Sequence, residues 1–73
     1  LLGISGRAVI SSHYKYIVYS KGAIREQLFD LSKDPGEMNN LAMQSSSKKI
    51  LTTMRSYLSK WCKQHNDQFS AYL

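Results

Sequence analysis

Chemistry in a short chain starts with its cysteine, histidines and carboxylates. Cys62 lies in Trp61-Cys62-Lys63-Gln64-His65, with a lysine beside it and a histidine three residues on. A nearby cation lowers a thiol pKa and so favours the nucleophilic thiolate. On the flank of an apolar helical stripe, however, cysteine serves as a small hydrophobe, and the chain offers no oxyanion donors to complete a nucleophilic site. We read Cys62 as structural. His13 and His65 are far apart and form no H-E-x-x-H spacing, whereas zinc sites take three or four ligands. They are expected to be a solvated turn residue and the last member of a helix stripe, with no metal bound. Glu26, Asp30, Asp34 and Glu37 resemble an acid–base set only in composition. Asp30 and Asp34 flank a strand end and a turn, where carboxylates accept backbone N–H groups, and no pocket separates their roles.

The remaining candidate chemistry is cationic. Lys48, Lys49, Arg55, Lys60 and Lys63 follow one another down the second half, and the chain has five tyrosines. Single-strand binders interleave rings with cations. Here the tyrosines lie mainly in a strand and the cations mainly in a helix, so a solvated basic helix face is expected and nucleic acid is not.

The elements that hold these residues are legible in order. Arg7–Ser12, with Ala8-Val9-Ile10 at its centre, reads as a first strand. Ser12-His13 turns the chain into Tyr14-Lys15-Tyr16-Ile17-Val18-Tyr19, where every residue but Lys15 is aromatic or β-branched; this second strand is predicted over 14–20. A loop at Lys21-Gly22-Ala23 follows, with Gly22 free to take positive φ. A third strand is predicted over 26–31, with Gln27, Phe29 and Leu31 on one face and Glu26, Leu28 and Asp30 on the other. Asp34-Pro35-Gly36-Glu37 is a turn, and Asn39 or Asn40 is a candidate cap for a short helical turn. Residues 47–65 read as one amphipathic helix with Ser45, Ser46 and Ser47 as cap candidates. Its apolar stripe is Ile50, Met54, Tyr57, Leu58, Trp61 and His65, flanked by Leu51 and Cys62. Residues 66–73 are expected to be a loose tail.

The second strand is apolar on both faces: Tyr14, Tyr16 and Val18 on one, Ile17 and Tyr19 on the other. A single helix covers only one of them. The expected fold is therefore α+β, a small antiparallel sheet of about three to four strands with one C-terminal helix on one face. The other face is left for a partner or for self-association into a dimer.

Bulk properties agree with one small globular unit. Of 73 residues, 42% are hydrophobic and 21% charged, outside the disordered range. No apolar run reaches the roughly 18 residues that span a bilayer, and no signal peptide is visible. The chain lacks an initiator Met, and we read it as a piece of a longer protein. The net charge of +5 is uneven. Residues 1–42 balance Arg7, Lys15, Lys21, Arg25 and Lys33 against four carboxylates, while the five cations of residues 43–73 face Asp67 alone.

Taken in order, several segments resemble the C-terminal subdomain of the type I, formylglycine-dependent sulfatases, an arylsulfatase-like family. They are Arg7-Ala8-Val9, Tyr14-Lys15-Tyr16-Ile17, Leu28-Phe29-Asp30-Leu31, Asp34-Pro35-Gly36-Glu37, Asn40-Leu41 and Leu58-x-x-Trp61. That family shows an arginine-led strand, Tyr-Lys-Tyr-Ile, Glu-Leu-Tyr-Asp-Leu, Asp-Pro-x-Glu and Asn-Leu before a last helix. Gln27 and Phe29 replace its usual Glu and Tyr while keeping the strand pattern. The resemblance marks Tyr14, Tyr16, Asp30, Asp34, Pro35, Glu37, Asn40 and Trp61 as structural motif residues.

The resemblance implies a parent enzyme, a sulfuric ester hydrolase acting on glycans. It would use calcium and a formylglycine made from a Cys-x-Pro-Ser-Arg motif, in a periplasmic, secreted or lysosome-like setting. Cys62 precedes Lys63-Gln64-His65, so it is not that nucleophile, and this segment is expected to hold no catalytic residue, metal or cofactor. Its implied partners are the catalytic domain of the same chain and the parent's sulfated substrate. Either Ile17 and Tyr19 face that domain and Tyr16 and Val18 the helix, or the reverse. His13, Lys15, Lys21 and Arg25 are the candidates for edging the substrate cleft. The competing reading is a free-standing basic module for nucleic acid or sulfated polysaccharide.

Overall fold

The computed structural model describes residues 6–73. Three strands, β1 (Gly6–Ile10), β2 (Tyr14–Tyr19) and β3 (Glu26–Asp30), form an antiparallel sheet in the order β1-β2-β3. A single-turn 3-10 helix at Ser45–Ser47 leads into α1 (Lys48–Gln64), and a second 3-10 helix spans Gln68–Tyr72. The fold is α+β, as the sequence patterns predict. The strands are one to two residues shorter at their C-terminal ends than expected. β1 stops at Ile10 because Ser11 already belongs to the turn, where its N–H donates to the Tyr14 carbonyl at 2.9 Å and its hydroxyl accepts from the Tyr14 N–H at 3.2 Å.

Register follows the side-chain pattern. Tyr16 lies opposite Val9 and Leu28, and Val18 opposite Arg7 and Glu26, so these residues share the face beneath α1. There Tyr16, Val18 and Leu28 join Leu51, Met54, Leu58, Cys62 and Phe69 in one core, every member at most 4% exposed. The other face carries Ala8, Ile10, Lys15, Ile17, Tyr19, Gln27 and Phe29. Of the two orientations open to β2, the chain adopts the one with Tyr16 and Val18 toward the helix.

α1 is continuous because no glycine or proline interrupts it, but its buried line differs from the predicted stripe. Leu51, Met54, Leu58 and Cys62 are buried, whereas Tyr57 and Trp61 are 52% and 44% exposed and His65 is also exposed. Both lines pass through Met54 at helical spacing, so periodicity cannot choose between them. Packing chooses the line with the small Cys62 side chain, which lets the helix approach the sheet. Trp61 instead stacks on His65, ring centroids 4.2 Å apart. The serine caps are also corrected: neither Ser47 nor Gln44 makes a side-chain capping bond, and the chain enters α1 through the 3-10 turn.

The tail at residues 66–73 is not loose. Asn66 takes a left-handed φ of 52°, and the Asp67 N–H donates back to the Cys62 carbonyl at 2.8 Å, which closes α1 in a Schellman motif. The reversal sends Phe69 into the core at 3% exposure. Eight residues are too few for periodicity to reveal this.

Candidate functional site

Two carboxylates tie the helix and the tail to the sheet, and neither tie spans a recognisable sequence motif. Glu26 opens β3 on the core face. It accepts the Tyr16 hydroxyl at 2.5 Å and both Nε and Nη2 of Arg55 at 2.6 Å. Arg55 holds the Glu26 carboxyl below its ordinary range, while burial, with Glu26 second, pushes the Tyr16 hydroxyl up. At the far end Asp67 accepts from Arg7 Nε at 2.7 Å and Nη2 at 3.1 Å, and from the Phe69 N–H at 3.0 Å. The Arg7 guanidinium also lies 4.8 Å over the Phe69 ring and holds Asp67 below its ordinary pKa. A carboxylate doubly bound to a fork-shaped guanidinium is a directional clamp rather than an acid–base device.

The other motif residues have equally definite roles. Asp30 accepts from the Ser32 hydroxyl at 2.6 Å and the Ser32 and Lys33 N–H groups, and Asp34 accepts from those of Met38 and Asn39. Pro35 is exposed in the turn that these bonds hold, and Glu37 closes it with a left-handed φ of 54°. Asn40 caps no helix. Its Oδ1 accepts from the Leu28 and Ala42 N–H groups, and its Nδ2 donates to the Glu26 carbonyl. With the Leu41 N–H on the Leu28 carbonyl, it replaces a missing neighbour along the β3 edge. Tyr14 packs partly buried against the core.

The four substrate-edge candidates do not converge. His13 and Lys15 sit at the β1–β2 end of the hairpin, and Lys21 and Arg25 at the β2–β3 end, with β2 between them. Lys15 is paired with Glu37 at 3.0 Å. Arg25 is held by the Tyr19 and Tyr72 carbonyls at 3.0 and 2.6 Å, on the wall of a groove of about 540 Å³ whose rim includes Ile24, Met43 and Leu73. The His13 and Lys21 side chains are exposed and have no bonding partner among the described residues.

Neither group implied by the family resemblance fits the described residues. No three His, Cys, Asp or Glu side chains gather as metal ligands among them. Cys62 is fully buried in the last turn of α1, and burial pushes its thiol pKa up. No helix of the described residues is long and apolar enough to cross a membrane.

The described residues thus form a three-stranded antiparallel sheet with one long C-terminal helix, and two carboxylate–guanidinium clamps tie helix and tail to the sheet. The family model for the C-terminal region of N-sulphoglucosamine sulphohydrolase matches residues 4–64. The chain belongs to this family of C-terminal sulfatase domains. It is 39% identical over 64 residues to a delta 4,5-hexuronate-2-O-sulfatase of Bacteroides thetaiotaomicron, covering 88% of this chain and 13% of that protein. It is 57% identical over 35 residues to human arylsulfatase K, covering 47% and 6%. The solved structure of a 2-O GAG sulfatase superposes with a TM-score of 0.86 at 37% identity, over 93% of this chain and 14% of that one. The chain thus spans about one-seventh of the length of these longer relatives.

Proposed function

We propose that this chain is the non-catalytic C-terminal segment of a sulfatase that hydrolyses sulfate esters of glycans, and that its uncovered sheet face packs on the catalytic domain. The observation that carries the reading is the sheet itself. Ile10 is 67% exposed, and Ile17 and Tyr19 are only half-buried, on a face where no described element packs like α1. Such a face is costly to leave in water, and the matched relatives continue far beyond the matched region. The names of those relatives, a hexuronate-2-O-sulfatase and a GAG sulfatase, support a sulfated glycan as substrate. Calcium and formylglycine would be supplied by other residues of the parent. His13 and Lys21 are the side chains available to reach a substrate, because Lys15 and Arg25 are already engaged.

The test is made on the intact protein containing this segment. It should hydrolyse an aryl sulfate, and replacing Ile17 and Tyr19 together by Asp should lower its melting temperature and soluble yield. His13→Ala or Lys21→Ala should raise KM for a sulfated oligosaccharide with little change in kcat. Hydrolysis by residues 1–73 alone, or an intact protein indifferent to the Asp pair, rejects the reading.

A further inference from the structure

The outer surface of α1 carries a group of charges that the fold leaves without a salt bridge among the described residues. α1 contains Lys48, Lys49, Arg55, Lys60 and Lys63 and no acidic residue. All five side-chain carboxylates are committed, and none of them to a lysine of α1: Glu26 to Arg55 and Tyr16, Asp30 and Asp34 to their turns, Glu37 to Lys15, and Asp67 to Arg7. The four lysines of α1 are therefore exposed without a carboxylate partner among the described residues. Lys49 and Lys60 fall on the same face, roughly three turns and about 16 Å apart along the axis, and Lys63 flanks Lys60 one turn on.

Beside these cations runs a line of rings. Tyr57 and Trp61 stand one turn apart on the flank nearest β1, and His65 stacks on Trp61 to extend the line. Between this flank and β1 lies a hollow of about 270 Å³ lined by Arg7, Ala8, Val9, Tyr57, Leu58 and Trp61. A second hollow of about 410 Å³ shares Tyr57 and runs on past His13 and Lys49. Aromatic side chains occupy one edge of the strip and ammonium groups the neighbouring edge.

We propose that this strip along α1 binds a sulfated polysaccharide chain and so helps the parent hold a polymeric substrate. The proposal rests on the sulfatase reading for its choice of ligand. Charge complementarity carries it: a polyanion releases counterions when lysines replace them, and flat sugar faces stack on Tyr57 and Trp61 while sulfates reach Lys49, Lys60 and Lys63. Nucleic acid is the weaker fit, because rings and cations segregate to separate edges instead of alternating along one strand's path.

The experiment uses the intact protein and a fluorescent heparin dodecasaccharide, titrated across a salt series. Wild type should bind with a steep salt dependence, and chemically desulfated heparin should not bind. Replacing Lys49, Lys60 and Lys63 together by Gln should weaken binding roughly tenfold or more and flatten the salt dependence. Trp61→Ala should weaken binding at every salt concentration, leaving the slope intact. The lysine variant should keep the wild-type melting temperature, and both variants should keep aryl-sulfate hydrolysis. Unchanged affinity in the lysine variant overturns the proposal, as does equal or tighter binding of single-stranded DNA of the same charge. Loss of the sulfatase reading would appear separately, as a wild-type protein that hydrolyses no aryl sulfate whatever it binds.

Discussion

The two faces of the sheet are built from the same three strands and have opposite fates. Beneath α1, Tyr16, Val18 and Leu28 are each at most 2% exposed, and no buried side-chain nitrogen or oxygen of the described residues lacks a partner, with Glu26 satisfying Tyr16 and Arg55 together. On the other face, the turn that brings Glu37 onto Lys15 covers one end, near the buried Phe29. The rest, from Ile10 across Ile17 to Tyr19, stays partly in water. Gly6 belongs to that face: a Cβ there would meet the Tyr19 ring at 3.0 Å, so the small residue lets the tyrosine lie across β1. Closed packing marks what the chain stabilises by itself, and open apolar surface marks what it leaves to something else.

The sharpest way to break this comparison is to truncate one residue on each face. Leu58→Ala, at 2% exposure, should cost about 2–5 kcal/mol in denaturant unfolding. Ile17→Ala in residues 1–73 alone, at a half-buried position with no helix packed on it, should cost only about 1 kcal/mol. If the two costs are similar, the faces are not distinct. Asn40→Ala comes next. It strands the Leu28 N–H and the Glu26 carbonyl at the β3 edge, and each unsatisfied group costs about 1–3 kcal/mol where water is excluded. Hydrogen exchange should show Leu28 losing protection first. Tyr16→Phe removes one hydroxyl from a satisfied network, so its cost should be about 1 kcal/mol, visible as a small shift of the unfolding midpoint at constant slope.

Acid titration addresses the clamps between sheet, helix and tail. Glu26 and Asp67 are held below their ordinary values of 4.5 and 3.8 in the folded chain. Folding therefore gains stability above those ordinary values, and that gain disappears as pH falls through the lowered ones. The melting temperature should drop as the solution is acidified below about pH 4.5. Glu26→Gln and Asp67→Asn should each flatten that acid limb while lowering stability at neutral pH. An acid limb unchanged in both variants would show that the clamps do not set it.

Much of the architecture is local and hence readable. Tyr14–Tyr19 could only be a strand, residues 48–64 contain no helix breaker, and Asp34-Pro35-Gly36-Glu37 holds its turn through contacts a few residues apart. The candidate site was less legible for the opposite reason. Glu26 and Arg55, like Arg7 and Asp67, meet only because the sheet brings distant segments together, and no spacing rule encodes such a pair. The four substrate-edge residues show the same limit, since an antiparallel strand carries two turns to opposite ends.

By itself, then, the sequence determined the α+β class, the three strands, the helix and the family resemblance, because each rests on periodicity or on contacts between near neighbours. Tertiary structure decided which of two helical lines is buried, that Phe69 returns to the core, and that Asn40 serves a sheet edge instead of a helix. It also decided that all five carboxylates are consumed inside the fold, leaving the lysines of α1 bare. Burial and pairing depend on which distant surfaces meet, and chain order carries that information only through the completed fold.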